Sequence, residues 1–260
     1  MNRTFNFCKR NVKEILRDPI IYIFCLGFPL VMLLLFNILN KYTGNHTPMF
    51  EIRALLPAII SFSYTFVMLT LSLLVSMDRQ SSFLKRLYSS PMKPQDFALG
   101  YALVGVAIGL MQTIICIISG FILSLISGVP FVRFDRLLLL TLSQFPMLLT
   151  NVFLGVLLGT VFNDKSAPGI CSIFISLSGI LGGCWMPVET MGGFESFCRV
   201  LPFYPSVYIG RAITQGVTAF GTIYTFDNVA LLGFIPIAVF MIASVIFSFI
   251  FFKKDMVSDK

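Results

Sequence analysis

The sequence predicts an all-α integral membrane protein that crosses the bilayer six times, with both ends in the cytoplasm. Three observations carry that prediction. Apolar residues make up 57% of the 260 residues and charged residues only 12%, whereas a soluble domain carries roughly a quarter charged residues. Mean hydropathy is +0.88. Finally, the chain divides into long uncharged runs, each close to or above the ~20 residues needed to span a hydrocarbon core about 30 Å thick.

In order, the runs are Ile20–Leu39, Ala54–Met77, Gly100–Ile126, Leu137–Phe162, Ala167–Trp185 and Val229–Phe252, and none contains Asp, Glu, Lys, Arg or His. Backbone groups inside hydrocarbon must satisfy one another, so each run is expected to be a helix. Gly100–Ile126 exceeds the bilayer thickness and must tilt or extend into the interface. The first run is of spanning length and has no small-residue cleavage site after it, so it is expected to remain as a helix. Lys and Arg set the orientation. With the N-terminus inside, 13 of them fall on the inner segments and 6 on the outer ones, namely Lys41, Arg53, Arg133, Arg136, Arg199 and Arg211.

Before the first run, Phe5, Cys8, Val12 and Ile15 recur at helical spacing, while Lys9, Arg10, Lys13 and Arg17 fall largely elsewhere. An amphipathic helix lying in the cytoplasmic interface, cations toward anionic head groups, accounts for both patterns. A plain basic flank accounts for the charges alone. Pro29, Pro57, Pro146 and Pro236 sit inside apolar runs, where neighbouring helices can re-satisfy the freed carbonyls. The pairs Gly105/Gly109, Gly155/Gly159 and Gly179/Gly183 permit close helix approach and are expected to pack within the chain.

Several function classes drop out. The net charge of +7 is dispersed among loops, which argues against nucleic-acid binding. Six cysteines form no CxxC pair, so no metal or disulfide framework is expected. His46, the only histidine, reads as a solvated loop residue, and no catalytic constellation accompanies it. Proton- or sodium-driven transport generally uses ionisable groups at membrane depth; the runs carry only Gln112, Gln144, Asn151 and scattered hydroxyls. Gln144 and Asn151 either line a pathway or bond to a neighbouring helix. A P-loop requires Gly-Lys, and none of the 19 glycines precedes a lysine. If ATP drives this protein, another polypeptide hydrolyses it.

Two loops are informative. The inner segment Asp78–Leu99 opens with Asp78-Arg79-Gln80 and continues into a short stretch where Phe83, Leu84, Leu87 and Tyr88 form an apolar face beside Lys85 and Arg86, ending at Ser89-Ser90-Pro91. Such a helix at the membrane edge is suited to dock in a partner's groove; a positively charged inner loop is the alternative. The outer segment from Met186 to Asn228 is too apolar for a solvated loop. Gly182-Gly183, then Trp185 and Pro187, predict an early break in the fifth helix. Met191, Phe194, Phe197, Val200 and Leu201 then give an apolar face before Pro202 and Pro205. One or two short re-entrant helices, or an interfacial helix lying flat, satisfy that pattern.

On these loops the chain resembles the permease subunit of type-2 ABC exporters. Asp78-Arg79-Gln80-Ser81-Ser82-Phe83, followed by Leu87 and Pro91, is similar to that family's Glu-Arg-Glu-x-Gly-Thr loop in its arginine, leucine and proline, and departs at both glutamates, the glycine and the threonine. Gly182, Gly183, Pro187, Leu201, Pro202, Pro205, Arg211 and Ala212 follow the order of the family's break and re-entrant segment.

The resemblance implies one permease domain over residues 1–260, with no catalytic residue and no cofactor of its own. ATP and Mg would sit on a separate cytoplasmic ATPase present in two copies. That ATPase would be contacted by the N-terminal helix (Phe5, Lys9, Arg10, Val12, Lys13) and by Asp78, Arg79, Phe83, Lys85, Arg86, Leu87 and Pro91. A second permease, identical or homologous, would complete the pathway, for which Gln144, Asn151, Gly182, Gly183, Pro187, Phe194, Pro202 and Pro205 are candidates. An amphipathic or lipophilic cargo (drug, antimicrobial peptide, lipid or lipid-linked glycan) exported across a bacterial plasma membrane is the implied role. A gradient-driven transporter or channel, or a membrane sensor scaffold, are the competing readings.

Overall fold

The computed structural model describes residues 2–15, 17, 22–42, 47–81 and 94–258. Regular structure among these residues is helical, apart from a single antiparallel bridge between Val217 and Ile223. Four helices are long and apolar enough to cross a membrane: α3 (Ile52–Gln80), α4 (Pro94–Ser127), α5 (Phe134–Val161) and α9 (Asn228–Ser258). Three of them enclose an expected run, and α5 covers Leu137–Phe162 up to its last residue, with Phe162 as the C-cap. Two shorter apolar helices, α2 (Phe28–Tyr42) and α6 (Ala167–Leu181), occupy the first and fifth runs. At 15 residues each, they reach about 22 Å.

The reasons for the short helices differ. A π-helical turn, Tyr22–Gly27, leads directly into α2. Wide turns of this kind leave carbonyls off the regular ladder, and the buried Gln112 of α4 donates its amide to the Cys25 carbonyl. By contrast, α6 stops at Leu181, four residues before the expected limit at Trp185. Gly183 takes a φ of +67°, which a residue with a Cβ adopts only with strain, and the Cys184 amide turns back to the Gly179 carbonyl at 3.2 Å. The expected break at Gly182-Gly183 therefore falls where the sequence placed it.

Helix α3 is the central post of the bundle. It packs against α5, α4 and α6, and against α8 (Phe203–Thr214), and its side chains are buried along almost the whole length. The approach to α5 is closest at the Gly155/Gly159 pair, where an added Cβ would lie 2.6 Å from the Met68 carbonyl oxygen and 2.7 Å from the Ser72 carbonyl oxygen. Backbone cannot give way as a side-chain tip can. Gly155→Ala and Gly159→Ala should each lower stability by about 1–3 kcal/mol, the usual cost of overpacking. Gly169→Ala, with nothing within 4 Å of the new Cβ, is the control, and thermal unfolding in detergent would separate the two classes. Equal melting temperatures for all three would refute this packing argument.

The N-terminal helix α1 (Asn2–Ile15) lies along α4. Its packed side is Phe7, Asn11 and Ile15, one residue per turn. Phe7 meets Phe97 and Tyr101 edge-on, with centroids 5.5 and 4.9 Å apart. Cys8 and Val12 flank this contact, whereas Phe5 is 67% exposed on the other side. Helix α1 therefore packs one apolar side against protein and leaves Phe5 outward.

Candidate functional site

The α1 end of the bundle is organised by three consecutive residues. Asp78, in the last turn of α3, has a side chain only 4% exposed. It accepts two hydrogen bonds from the Arg10 guanidinium, at 2.7 and 2.8 Å, and a third from the Tyr101 hydroxyl at 2.6 Å. Bidentate Arg–carboxylate pairing is among the strongest polar contacts in proteins. Arg10 also bonds to Asn11 at 3.1 Å and to Glu14 at 2.7 Å. Burial works against the Arg10 charge, but the Asp78 hydrogen bond and charge outweigh it and raise its pKa. Burial, then the Asp78 charge, raises the Glu14 pKa despite the opposing pull of Arg10.

Arg79 and Gln80 reach other helices. The Arg79 guanidinium bonds to Asp255 near the end of α9 at 2.6 Å and to the Gly159 carbonyl of α5 at 3.4 Å. Gln80 donates to Asp164, in the turn between α5 and α6, at 2.6 Å. The end of α3 is thereby tied to α1, α4, α5, α9 and the α5–α6 turn. Phe83, Lys85, Arg86, Leu87 and Pro91, expected to form the docking stretch, lie outside the described residues. Of the α1 candidates, Lys9 and Lys13 are exposed, Val12 is half-buried, and Arg10 is held by Asp78.

At the opposite end, a helical hairpin of α7 (Gly193–Val200) and α8 follows the break after α6. Pro187 precedes a short 3-10 turn, Val188–Thr190; Phe194 lies on α7, exposed at 36%. Pro202 stands at the start of α8, and Pro205 is buried against Gly233 of α9. Gln144 of α5 is fully buried, donates to the Ser206 carbonyl at 2.8 Å and accepts from the Ser206 hydroxyl at 2.7 Å. Ser61 of α3 bonds to the same hydroxyl at 3.1 Å, so three helices share one polar node. Asn151, also buried, bonds to the Met147 carbonyl of its own helix at 3.0 Å.

Arg211, counted among the cations of the outer segments and matched in order to the family's re-entrant segment, lies on α8 at the end opposite α1 and is only 2% exposed. Its guanidinium donates to the Gly183 carbonyl at 2.9 Å, the Ala54 carbonyl at 3.2 Å and the Tyr224 hydroxyl at 3.4 Å. Tyr224 in turn donates to Glu189. The signal was present in the sequence: Arg211 is the one charge in an otherwise apolar stretch from Leu201 to Ile213, and an isolated cation in such a setting needs buried partners.

A bundle of apolar helices, broken by a helical hairpin at one end and cross-tied by charge at the other, defines a helical membrane-embedded protein. A family model for the ABC-2 type transporter matches residues 3–214, and the chain belongs to that family. The match runs from α1 to the end of α8 and so includes both polar clusters apart from Tyr224 and Asp255. Comparison with curated proteins gives no match. The chain is accordingly a membrane subunit of an ABC transporter, a multi-pass component whose family usually works with an ATPase subunit.

Proposed function

We propose that the chain is the transmembrane permease of an ATP-driven exporter. It crosses the bilayer six times, with α1 on the cytoplasmic side, and pairs with a second permease and with two copies of a separate cytoplasmic ATPase that holds ATP and Mg. The observation that supports this most is the clamp at the end of α3. Asp78, Arg79 and Gln80 fan out to four helices and one turn immediately before the 82–93 segment, where the family resemblance puts ATPase contact. A push on that segment would reach the whole bundle through three side chains. The uncharged spans, with no ionisable residue for an ion gradient to act on, point to the same energy source. In this reading the cargo is amphipathic or lipophilic and leaves along the interface between two permeases, in a bacterial plasma membrane.

Purification of the tagged chain in mild detergent, with every co-purifying protein identified by mass spectrometry, tests the proposal. A P-loop ATPase in equal amount is the expected result. No ATPase, even after crosslinking in intact membranes, would move the channel or scaffold reading ahead. In the assembled transporter, Arg79→Ala should leave ATP hydrolysis running while export falls severalfold, because a strut between the docking segment and α9 is lost. Equal losses of both activities would remove Arg79 from the coupling path.

A further inference from the structure

A groove of about 610 Å³ opens at the end of the bundle opposite α1, between the start of α5, the end of α8 and the segment leading into α9. Its size falls within the roughly 300–1,000 Å³ of ligand sites. The walls are Leu139 and Leu142 of α5, Ile213 of α8, and Phe226 and Phe234. Leu139 and Leu142 are 54% and 62% exposed, so the groove opens sideways, toward the region that hydrocarbon occupies around a membrane bundle.

The polarity of the groove changes along its length. Asp135 and Arg136 stand in the first turn of α5 at one end. Leu142 lies six residues further on, about 9 Å deeper at 1.5 Å per residue. The charge at that end is lopsided. Asp135 pairs with Arg133 at 3.3 Å. Arg136 is half-buried and donates its backbone N–H to the Arg133 carbonyl, but its guanidinium makes no hydrogen bond or ion pair with any described residue. Arg53, which bonds to the Pro130 carbonyl at 3.2 Å, is held beside the end of α8, where Thr214 donates to its carbonyl at 2.6 Å. With Asp135 taken up by Arg133, Arg136 is the lining cation left over above an apolar slot.

We infer that the groove holds a phospholipid of the surrounding bilayer, one acyl chain lying along Leu139, Leu142 and Phe234 and the phosphodiester paired with Arg136. Basic pockets between transmembrane helices recognise lipid head groups on this principle. The lipid braces α5, α8 and α9 where they meet. The inference rests on the chain being membrane-embedded and is independent of any ATPase partner, so the two proposals fail separately.

The test uses the full chain reconstituted in phosphatidylcholine vesicles containing phosphatidylglycerol with a diazirine near the end of one acyl chain. Illumination followed by peptide mass spectrometry locates the label. Label should concentrate on Leu139, Leu142 and Phe234. Arg136→Gln removes a charge-assisted hydrogen bond and should reduce that labelling about tenfold. Leu142→Trp fills the slot from an exposed position and should do the same; thermal unfolding checks that each variant is folded, and the rim variant stands if the tryptophan variant is not. Labelling of Leu138 and Leu231, exposed elsewhere on α5 and α9, at the same level would show ordinary bilayer contact and overturn the site. Equal labelling by a diazirine alcohol of the same chain length would overturn recognition of the head group. Crosslinks between two copies of the chain, with the groove unlabelled, would give the groove to a dimer contact instead.

Discussion

Asp78→Ala should free α1 from the bundle. The substitution removes three hydrogen bonds at once and leaves the Arg10 guanidinium and the Tyr101 hydroxyl, both turned inward, without their shared acceptor. Breaking a fully buried ion pair from one side costs about 3–5 kcal/mol; Arg10 is one-third exposed and keeps Glu14 and Asn11, so a loss of about 3 kcal/mol, the low end of that range, is expected. Amide exchange in residues 2–15 reports this directly, and a local loss of that size should speed it by on the order of a hundredfold or more. Asp78→Asn keeps an acceptor for Tyr101 and should fall between. The contact of Phe7 with Phe97 and Tyr101 is the competing anchor. Unchanged exchange in Asp78→Ala would mean that these aromatic rings, not the ion pair, hold α1.

Arg211→Ala should have a comparable effect at the other end. The guanidinium closes off two backbone carbonyls, Gly183 and Ala54, that belong to the break after α6 and the start of α3. Losing it leaves the Gly183 carbonyl without this donor, takes the side-chain donor from the Ala54 carbonyl, opens a cavity, and removes one of the contacts of Tyr224 with the hairpin. Each buried acceptor left unpaired costs about 1–3 kcal/mol, so a total of several kcal/mol and a clear fall in melting temperature in detergent are expected. Arg211→Lys, which keeps the charge but presents a single donor head instead of a fork, should recover only part of the loss. Full recovery by lysine would show that charge alone, rather than the span of the guanidinium, is what the hairpin requires.

Sequence reasoning found the helices because long uncharged runs leave the backbone no alternative in hydrocarbon. It also found the break at Gly182-Gly183, since glycine pairs next to tryptophan and proline are a local signal. It phased α1 in part: of Phe5, Cys8, Val12 and Ile15, the last three lie on the packed side and Phe5 points outward, while Phe7 and Asn11, not singled out, are buried there. Lipid and protein both accept apolar residues, so spacing does not tell which side meets which. The charge pattern reads Arg10 as a cation for head groups and Arg211 as a charge on an outer segment, and shows the partners of neither. Their partners lie 68 and up to 157 residues away, a separation that no local pattern encodes. Gln144 and Asn151 were left between pathway and packing; their hydrogen bonds go to Ser206 and to the backbone of α5. Of the docking stretch, Asp78, Arg79 and Gln80 lie within the described residues and 82–93 do not.

Because Asp78, Arg79 and Gln80 are consecutive on one α-helix, their side chains leave the axis about 100° apart. They therefore grip three different sectors of the surrounding helices from a single axle. Sliding α3 along its length would strain these ties only gradually, but twisting it would pull on all of them together. The end of α3 is thus built to pass on torque: a small rotation imposed there is delivered tangentially to α1, to α9 and to the α5–α6 turn in the same instant.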